Sequence, residues 1–212
     1  MEIISHRGYW ETVEKKNTQC AFTKSFSLGF GTETDVRDSH GKLVISHDIP
    51  TGKEILFSAV LDIYNGFLCK SVLAINIKSD GLQEPLLQIL QKKKIENYFI
   101  FDASVPDLIV SLKKGLTSFS RYSEYEPRTL LWGECAGIWY DSFSDMTVDE
   151  VLFTELLNLG KKIAVASPEL HGKDYKTLWK KLYYLPSFVL DSKNLILCTD
   201  IPEIAREYFN DT

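Results

Sequence analysis

The chain has 212 residues, of which 44% are hydrophobic and 12% aromatic, a composition that excludes an intrinsically disordered protein. The length is sufficient for one domain with a sizeable buried core. The formal net charge of -5 disfavours nucleic acid as a partner, because proteins that bind a polyanion usually carry a basic excess.

Short runs of β-branched and aromatic residues alternate along the chain with longer segments whose apolar residues recur three and four positions apart. The short runs predict strands at 2–5, 31–36, 72–77, 98–101, 117–120, 137–140, 162–166 and 195–198. The longer segments predict helices at 18–28, 82–94, 106–114, 148–159, 175–184 and 202–209. Asn17 is the expected N-cap of the first helix, and Gly160 the expected left-handed residue after the fourth. A turn at His40 and Gly41 leads into a short extra strand at 43–45.

Strands joined by crossover segments imply a parallel sheet, and eight strands are the number that closes a TIM-type barrel. The sequence therefore predicts an α/β protein with the (β/α)8 fold, forming a single compact domain over 1–212 with a short insertion after strand 2. An open doubly wound sheet is the alternative. That fold usually has a glycine-rich phosphate loop after its first strand, whereas Gly8 has no second glycine nearby.

The four cysteines are widely spaced, and no two of them form a Cys-x-x-Cys pair. Cys20, Cys69, Cys135 and Cys198 could form two disulfides, but Cys20, Cys135 and Cys198 are interpreted as buried or half-buried small apolar residues, and reduced thiols are predicted. No basic and apolar leader precedes the first strand, and no apolar run reaches the roughly 20 residues of a transmembrane helix. We therefore expect a cytoplasmic protein without a transmembrane segment; no pattern indicates an oligomeric state.

Polar residues lie within or directly after nearly every predicted strand, towards the carboxyl ends where a barrel places its active site. In chain order they are His6 and Arg7, Glu33 and Asp35, Asn76 and Lys78, Asp102, Arg121, Asp141, Glu169 and His171, and Asp200. Loops are polar in general, but this accounts better for one or two positions than for carboxylates and cations after nearly every strand. The pattern predicts a charged site.

Glu33 and Asp35 are two positions apart on one strand, so both side chains point the same way. Two inward carboxylates repel each other, and a hard divalent cation that takes oxygen ligands from both relieves the repulsion. The alternative is a salt bridge with Arg7 or Lys78. Asn76 can add a neutral oxygen, and Lys78 on the same face can hold a phosphate.

His6 and His47 are the candidates for proton transfer, because imidazole titrates near neutral pH. A lone histidine is more often structural than catalytic, but each of these lies beside a strand end in a polar local sequence. His40 is expected only to occupy a turn. His171 fits a site residue and a loop residue equally well.

The chain also resembles the glycerophosphodiester phosphodiesterase family. The resemblance rests on the motifs His6-Arg7-Gly8, Asn17-Thr18, Glu33-Thr34-Asp35-Val36, Gly41 with Val44, His47-Asp48, Ile75-Asn76-Ile77-Lys78 and Cys198-Thr199-Asp200-Ile201-Pro202. These motifs extend from one end of the chain to the other, and their order and spacing are most specific in the first part.

The resemblance implies a (β/α)8 barrel that hydrolyses a phosphodiester with a divalent ion, commonly Ca or Mg, and a place in lipid metabolism. It assigns the ion to Glu33 and Asp35, and phosphate to Arg7 and Lys78. His6 and His47 take the acid and base roles: a substrate hydroxyl next to the phosphodiester attacks phosphorus, and water then opens the cyclic phosphate.

Two departures from the family pattern stand out. Asn76 lies where the family usually has Glu as a third carboxylate ligand, so another carboxylate, Asp102 or Asp141, is a candidate extra ligand. The segment after His47 is short and holds no large capping insertion.

Residues predicted to line the site and set specificity are Asp102, Arg121, Glu124, Trp139, Asp141 and Glu169. We expect Arg121 and Glu124 to form an ion pair, and Trp139 either to stack on a sugar or polyol or to pack in the core.

The leading functional hypothesis is metal-dependent hydrolysis of a small phosphodiester with a polyol or sugar moiety. A second hypothesis is cleavage of a phosphate-linked surface polysaccharide or its precursor, stopping at a cyclic phosphate. A third, of another class, is a barrel that binds phosphorylated ligands without turnover. The two histidines favour catalysis, because binding alone needs no acid–base pair.

Overall fold

A computed structural model of the chain describes residues 1–68, 71–144 and 148–210. In this described part, nine strands form one sheet with the order β5-β4-β2-β1-β9-β8-β7-β6, and β3 pairs only with β2. The strands are β1 (Glu2–His6), β2 (Gly31–Ser39), β3 (Lys42–Ile45), β4 (Leu73–Ile77), β5 (Tyr98–Phe101), β6 (Phe119–Tyr122), β7 (Gly137–Tyr140), β8 (Lys162–Ala166) and β9 (Leu195–Thr199).

Helices follow most of the strands. They are α1 (Gln19–Ser27), α2 (Phe57–Asn65), α3 (Gln83–Lys92), α4 (Val105–Lys113), α5 (Glu150–Asn158), α6 (Lys176–Tyr183), α7 (Ser187–Leu190) and α8 (Pro202–Asn210).

The strand order confirms the predicted (β/α)8 fold class. Strands that are consecutive in the chain are neighbours in the sheet, apart from the hairpin strand β3 and the strands β5 and β6, which stand at the two ends of the order, and the first strand lies between the second and the last. A doubly wound sheet would instead reverse its order at a switch point. The pairs β2–β4, β4–β5, β6–β7, β7–β8 and β8–β9 are parallel, and β3 is antiparallel to β2.

The chain divides into two compact units, each with its own hydrophobic core. The amino-terminal unit comprises Ser5–Ser118, and the carboxy-terminal unit comprises Phe119–Thr212 together with Met1–Ile4. In the first, α1 to α3 pack on one face of β2 and β4 through Phe22, Val60, Leu86 and other apolar residues. In the second, Trp179, Phe153 and Leu182 belong to a separate hydrophobic cluster. That the chain forms a single domain stays a prediction.

Two helices and the beginning of one strand differ from the sequence-based expectation. Helices α2 and α7 were not predicted, although the buried residues of α2, Phe57, Val60, Leu61 and Tyr64, have helical spacing. Strand β6 begins at Phe119 rather than at 117, because Thr117 and Ser118 are engaged with Ile100 of β5: Ile100 N–H donates to Thr117 O at 2.8 Å, and Ser118 forms an isolated bridge with Ile100.

The N-cap of α1 is Thr18 rather than the predicted Asn17. The Thr18 hydroxyl accepts from the Ala21 N–H at 3.4 Å, and its backbone is extended, as an N-cap requires. Asn17 instead has a left-handed backbone with φ of 59°. Gly160, with φ of 72°, is the left-handed residue after α5, as predicted.

Cys20, Cys135 and Cys198 are free thiols, and Cys69 lies outside the described residues. Cys135 and Cys198 are buried as predicted, and burial raises the pKa of the Cys135 thiol to about 11. Cys20 is exposed, contrary to the prediction, because it lies in the first turn of α1 on the face opposite Ala21 and Phe22. No helix in the described part of the chain is long and apolar enough to cross a membrane.

Candidate functional site

Two buried carboxylates and one buried amide share one face of the sheet in the amino-terminal unit. Glu33 and Asp35 on β2 are 1% and 0% exposed, and Asn76 on β4 is 7% exposed. In the parallel register, Asp35 is the partner of Asn76. The alternate residues, such as Val36 and Ile75, belong to the hydrophobic core on the other face. Strand alternation therefore separates this polar cluster from the apolar packing, as predicted.

Cations from two loops neutralise Asp35. Arg7 follows β1, and its Nε lies 2.8 Å from Asp35 Oδ2. Lys78 follows β4, and its Nζ lies 3.4 Å from Asp35 Oδ1 and 3.9 Å from Asp102 Oδ2. The salt-bridge alternative weighed for the acidic pair is thus realised at Asp35, and Asp102 lies at the border of the same site.

The negative charge of Glu33 is less well neutralised by nearby cations than that of Asp35. Burial first, and then the negative charge of Asp35, raise the pKa of the Glu33 carboxyl well above its ordinary value. The charges of Arg7 and Lys78 and a hydrogen bond from Asn76 act in the opposite direction. His6 Nε2 lies 3.9 Å from Glu33 Oε2, so one predicted catalytic histidine borders the acidic pair.

Three buried oxygens in this cluster have no hydrogen-bond partner: Glu33 Oε2, Asp35 Oδ1 and Asn76 Oδ1. Buried oxygens are rarely left in this state, and carboxylate and amide oxygens are the ligands that hard cations such as Mg²⁺ and Ca²⁺ prefer. In the described residues, no group of three or more His, Cys, Asp or Glu side chains could hold a metal. The oxygen set fits a divalent cation, with the Asn76 amide in the third position.

His47 lies in the loop after β3, and this loop contacts the backbone of the acidic strand β2. The preceding residue, Ser46, donates its N–H to Asp35 O at 3.1 Å. The His47 imidazole is about half exposed, and its Nδ1 lies 2.9 Å from Asp48 Oδ1, so Nε2 is the nitrogen left for a ligand. Arg7 and His47 line one cavity of about 670 Å³. The structure therefore brings the phosphate-binding candidate Arg7 and the second histidine to the same cavity.

A tight backbone approach fixes the loop that carries His6 and Arg7. Gly8 has φ of 80°, and its N–H donates to Thr32 Oγ1 at 2.9 Å. A Cβ added at Gly8 would lie 2.7 Å from Ala21 Cβ and 2.8 Å from the Ala21 carbonyl carbon. Only glycine satisfies both the backbone angle and the contact with α1.

Gly8→Ala is expected to lower the free energy of unfolding by roughly 2–4 kcal/mol, as the sum of a left-handed backbone penalty and steric overpacking. Urea denaturation measures the loss. Gly41→Ala is the matched control, because Gly41 has φ of 74° but nothing within 4 Å of the added Cβ, so it reports the backbone penalty alone. Equal losses in the two variants would contradict the close contact at Gly8.

Predicted specificity residues in the carboxy-terminal unit have partners of their own. The expected ion pair between Arg121 and Glu124 is wrong: Arg121 Nε lies 2.7 Å from Glu126 Oε2. Paired backbone hydrogen bonds between Ser123 and Glu126 form a turn that returns Glu126 to Arg121. Glu124 instead accepts hydrogen bonds from Phe143 N–H and the Ser144 hydroxyl, both at 2.8 Å.

Glu169 and Trp139 are held inside the same unit. Glu169 accepts hydrogen bonds from Ser167, Thr199 and the Asp200 N–H, which tie the end of β8 to the end of β9. Trp139 is only 4% exposed and lies on the face of β7 opposite Ile138 and Tyr140, which favours packing over stacking on a sugar.

Asp141 pairs with His171, the histidine whose role the sequence left open. His171 Nε2 lies 2.7 Å from Asp141 Oδ1, and this hydrogen bond is the main reason that the pKa of His171 is raised above 6.5. Desolvation and the charge of Lys173 oppose the shift.

Because the folded state raises this pKa, the pair adds stability that is fully present below about pH 6.5 and is lost as pH rises through the folded value. Asp141→Asn should therefore lower Tm most at about pH 5.5, and the difference from the native protein should shrink by about pH 9. Differential scanning calorimetry across this range measures it. A gap that stays constant or widens with pH would contradict the charged pair.

Sequence reasoning missed the contacts of Asn17 with the site. Asn17 Nδ2 donates to Asp35 Oδ2 at 2.8 Å, and the Thr34 hydroxyl donates to Asn17 Oδ1 at 3.1 Å. The available signal was the position of Asn17 within the family-like motif, which had been attributed to helix capping.

No protein-family model matches the sequence, and no curated protein matches it. Solved structures match over nearly the whole chain. A glycerophosphodiester phosphodiesterase from Parabacteroides distasonis is 18% identical with a TM-score of 0.72, the match covering 99% of this chain and 96% of that one. The enzyme of the same kind from Agrobacterium tumefaciens is 14% identical with a TM-score of 0.71, covering 99% of both chains.

A Ca²⁺-dependent phosphatidylinositol-specific phospholipase C from Streptomyces antibioticus is more distant. It is 10% identical with a TM-score of 0.59, and the match covers 97% of this chain and 95% of that one. At such identities these likenesses establish the (β/α)8 fold. The resemblance indicated by the motifs is therefore confirmed at the level of the fold.

Proposed function

We propose that this chain is a phosphodiesterase of the glycerophosphodiester phosphodiesterase family that hydrolyses a small phosphodiester with a divalent cation, Mg²⁺ or Ca²⁺. The observation that carries the proposal is the cluster of three buried oxygens without hydrogen-bond partners, on Glu33, Asp35 and Asn76. Fold likeness to solved phosphodiesterases supports it, as does the Ca²⁺ dependence of the phospholipase C neighbour.

The cation site is formed by Glu33, Asp35 and Asn76, with Asp102 as the candidate extra ligand in the same unit. When bound, the cation would stabilise the negative charge that grows on the phosphoryl oxygens. Arg7 and Lys78 bind the phosphate beside it. Arg7 uses Nε on Asp35, so its other N–H groups can donate to phosphate oxygens in the cavity.

His6 and His47 carry the protons. A substrate hydroxyl next to the phosphodiester attacks phosphorus, and a new P–O bond forms as the bond to the leaving alcohol breaks. One imidazole takes the proton of the attacking hydroxyl, and the other gives a proton to the leaving oxygen. Water then opens the cyclic phosphate with the two roles reversed, which leaves a phosphomonoester and restores both imidazoles.

The test is a hydrolysis screen on protein stripped with a chelator and then supplied with Mg²⁺ or Ca²⁺. Glycerophosphodiesters, nucleoside-diphosphate polyols and a chromogenic diester are the substrates, and phosphorus NMR identifies the product. We expect hydrolysis that depends on the cation. A cyclic phosphate that persists would favour the polysaccharide-type reaction, and binding of phosphorylated ligands without any turnover would overturn the proposal.

A further inference from the structure

Asn17 is the residue that joins the loop after β1 to the acidic strand β2. Its N–H donates to Arg7 O at 2.8 Å, and its amide Nδ2 donates to Asp35 Oδ2 at 2.8 Å. It achieves both from a left-handed backbone with φ of 59°, a conformation that asparagine tolerates better than most residues.

The orientation of the Asn17 amide is fixed by its contact with the Asp35 carboxylate. The Thr34 hydroxyl donates to Asn17 Oδ1 at 3.1 Å, so the amide oxygen faces Thr34 and the amide nitrogen faces Asp35. A flipped amide could still donate to the Thr34 hydroxyl, but it would place its oxygen against Asp35 Oδ2, one acceptor against another. Asn17 therefore acts on Asp35 only as a donor.

This donor determines which oxygen of Asp35 stays available. Asp35 Oδ2 accepts a hydrogen bond from Asn17 Nδ2 at 2.8 Å, and the Arg7 Nε charge lies at the same distance from it without hydrogen-bond geometry. Asp35 Oδ1 is buried without a hydrogen bond, with Lys78 Nζ at 3.4 Å. With Oδ2 engaged by the Asn17 amide and facing Arg7, Oδ1 is the oxygen that a cation can take.

We propose that Asn17 is a positioning residue that holds the Asp35 carboxylate so that Oδ1 is presented to the divalent cation. The inference rests on the proposed function, because it presumes a cation between Glu33, Asp35 and Asn76. Asn17 also lines the cavity of Arg7 and His47, and the role proposed for it is to orient Asp35, not to transfer a proton. Its loss weakens cation binding and leaves proton transfer intact once the site is saturated.

The experiment compares cation binding by isothermal titration calorimetry in the native protein, Asn17→Gly and Asn17→Asp. Glycine keeps the left-handed backbone and removes the side chain. Aspartate keeps the shape and replaces the donor with a negative acceptor beside Asp35. Both variants should raise the Kd of Mg²⁺ or Ca²⁺ by roughly 10- to 100-fold, the usual effect of removing a group that orients a metal ligand. At saturating cation, kcat should recover.

Thr18→Ala is the control, because it removes the neighbouring helix cap and should cost stability without changing the Kd. An unchanged Kd in both Asn17 variants, with the native protein binding cation and hydrolysing diester, overturns this inference alone. A low kcat at saturating cation also overturns it, since Asn17 would then act in the reaction. A native protein that neither binds a cation nor hydrolyses a diester overturns the proposed function instead.

Discussion

Replacing either His6 or His47 with alanine is expected to lower kcat for phosphodiester hydrolysis by roughly 100- to 10,000-fold, the usual contribution of a positioned acid or base. In the proposed mechanism both proton transfers occur in the displacement at phosphorus, so neither histidine can substitute for the other. Steady-state kinetics at saturating cation measure the loss. Calorimetric titration of the cation should accompany the His6 variant, because His6 Nε2 lies 3.9 Å from Glu33 Oε2.

Substrates with different leaving groups show which histidine is the acid and which is the base. A glycerol nitrophenyl phosphodiester keeps the attacking hydroxyl and releases a nitrophenolate that needs little protonation, so the variant that lacks the acid should lose far less activity on this substrate than on a glycerophosphodiester. The variant that lacks the base should lose a similar factor on both. His40→Asn is the matched control, since His40 lies in the turn after β2 with φ of 49°, a conformation that asparagine tolerates. A His47→Ala variant with native kcat on every substrate would refute the two-histidine mechanism.

The strands were predictable because their signal is local. The buried runs at β5, β7 and β8 are β-branched or aromatic and are bounded by polar or glycine residues, and their predicted bounds match those observed. Helix α2 was missed because the segment before it, which follows His47, has no periodic pattern. The apolar face of α2 packs on α1 and β3, and these contacts are seen only in the folded chain.

The candidate site was partly predictable for a related reason. A two-residue period along β2 and along β4 places Glu33 with Asp35 and Asn76 with Lys78 before any tertiary contact is known. The contacts of side chains in loops do not follow such a period. Arg121 selects Glu126 over Glu124 because of a turn, and Asn17 reaches Asp35 because of one left-handed residue. These conformations depend on contacts distant in the chain.

Glu33→Gln is expected to show that the charge of Glu33 destabilises the fold without a cation and is needed to bind the cation. Burial and the charge of Asp35 raise the pKa of Glu33 well above its ordinary value, so its charged form destabilises the fold at neutral pH when no cation is present. In a chelator, the neutral amide should give a Tm equal to or above that of the native protein. The charge that costs stability is the same charge that attracts the cation.

With Mg²⁺ or Ca²⁺ at about one hundred times its Kd, the native protein should gain about 2.7 kcal/mol, whereas Glu33→Gln should gain little, because one of its two carboxylate ligands is gone. The order of stabilities therefore reverses between the two conditions, as calorimetric scans with and without cation will measure. Glu84→Gln is the control: this exposed carboxylate on α3 bonds Lys114 and Gln88, so its loss should leave the cation-dependent gain intact. If the cation raises the Tm of Glu33→Gln as much as that of the native protein, the cation does not bind between Glu33, Asp35 and Asn76.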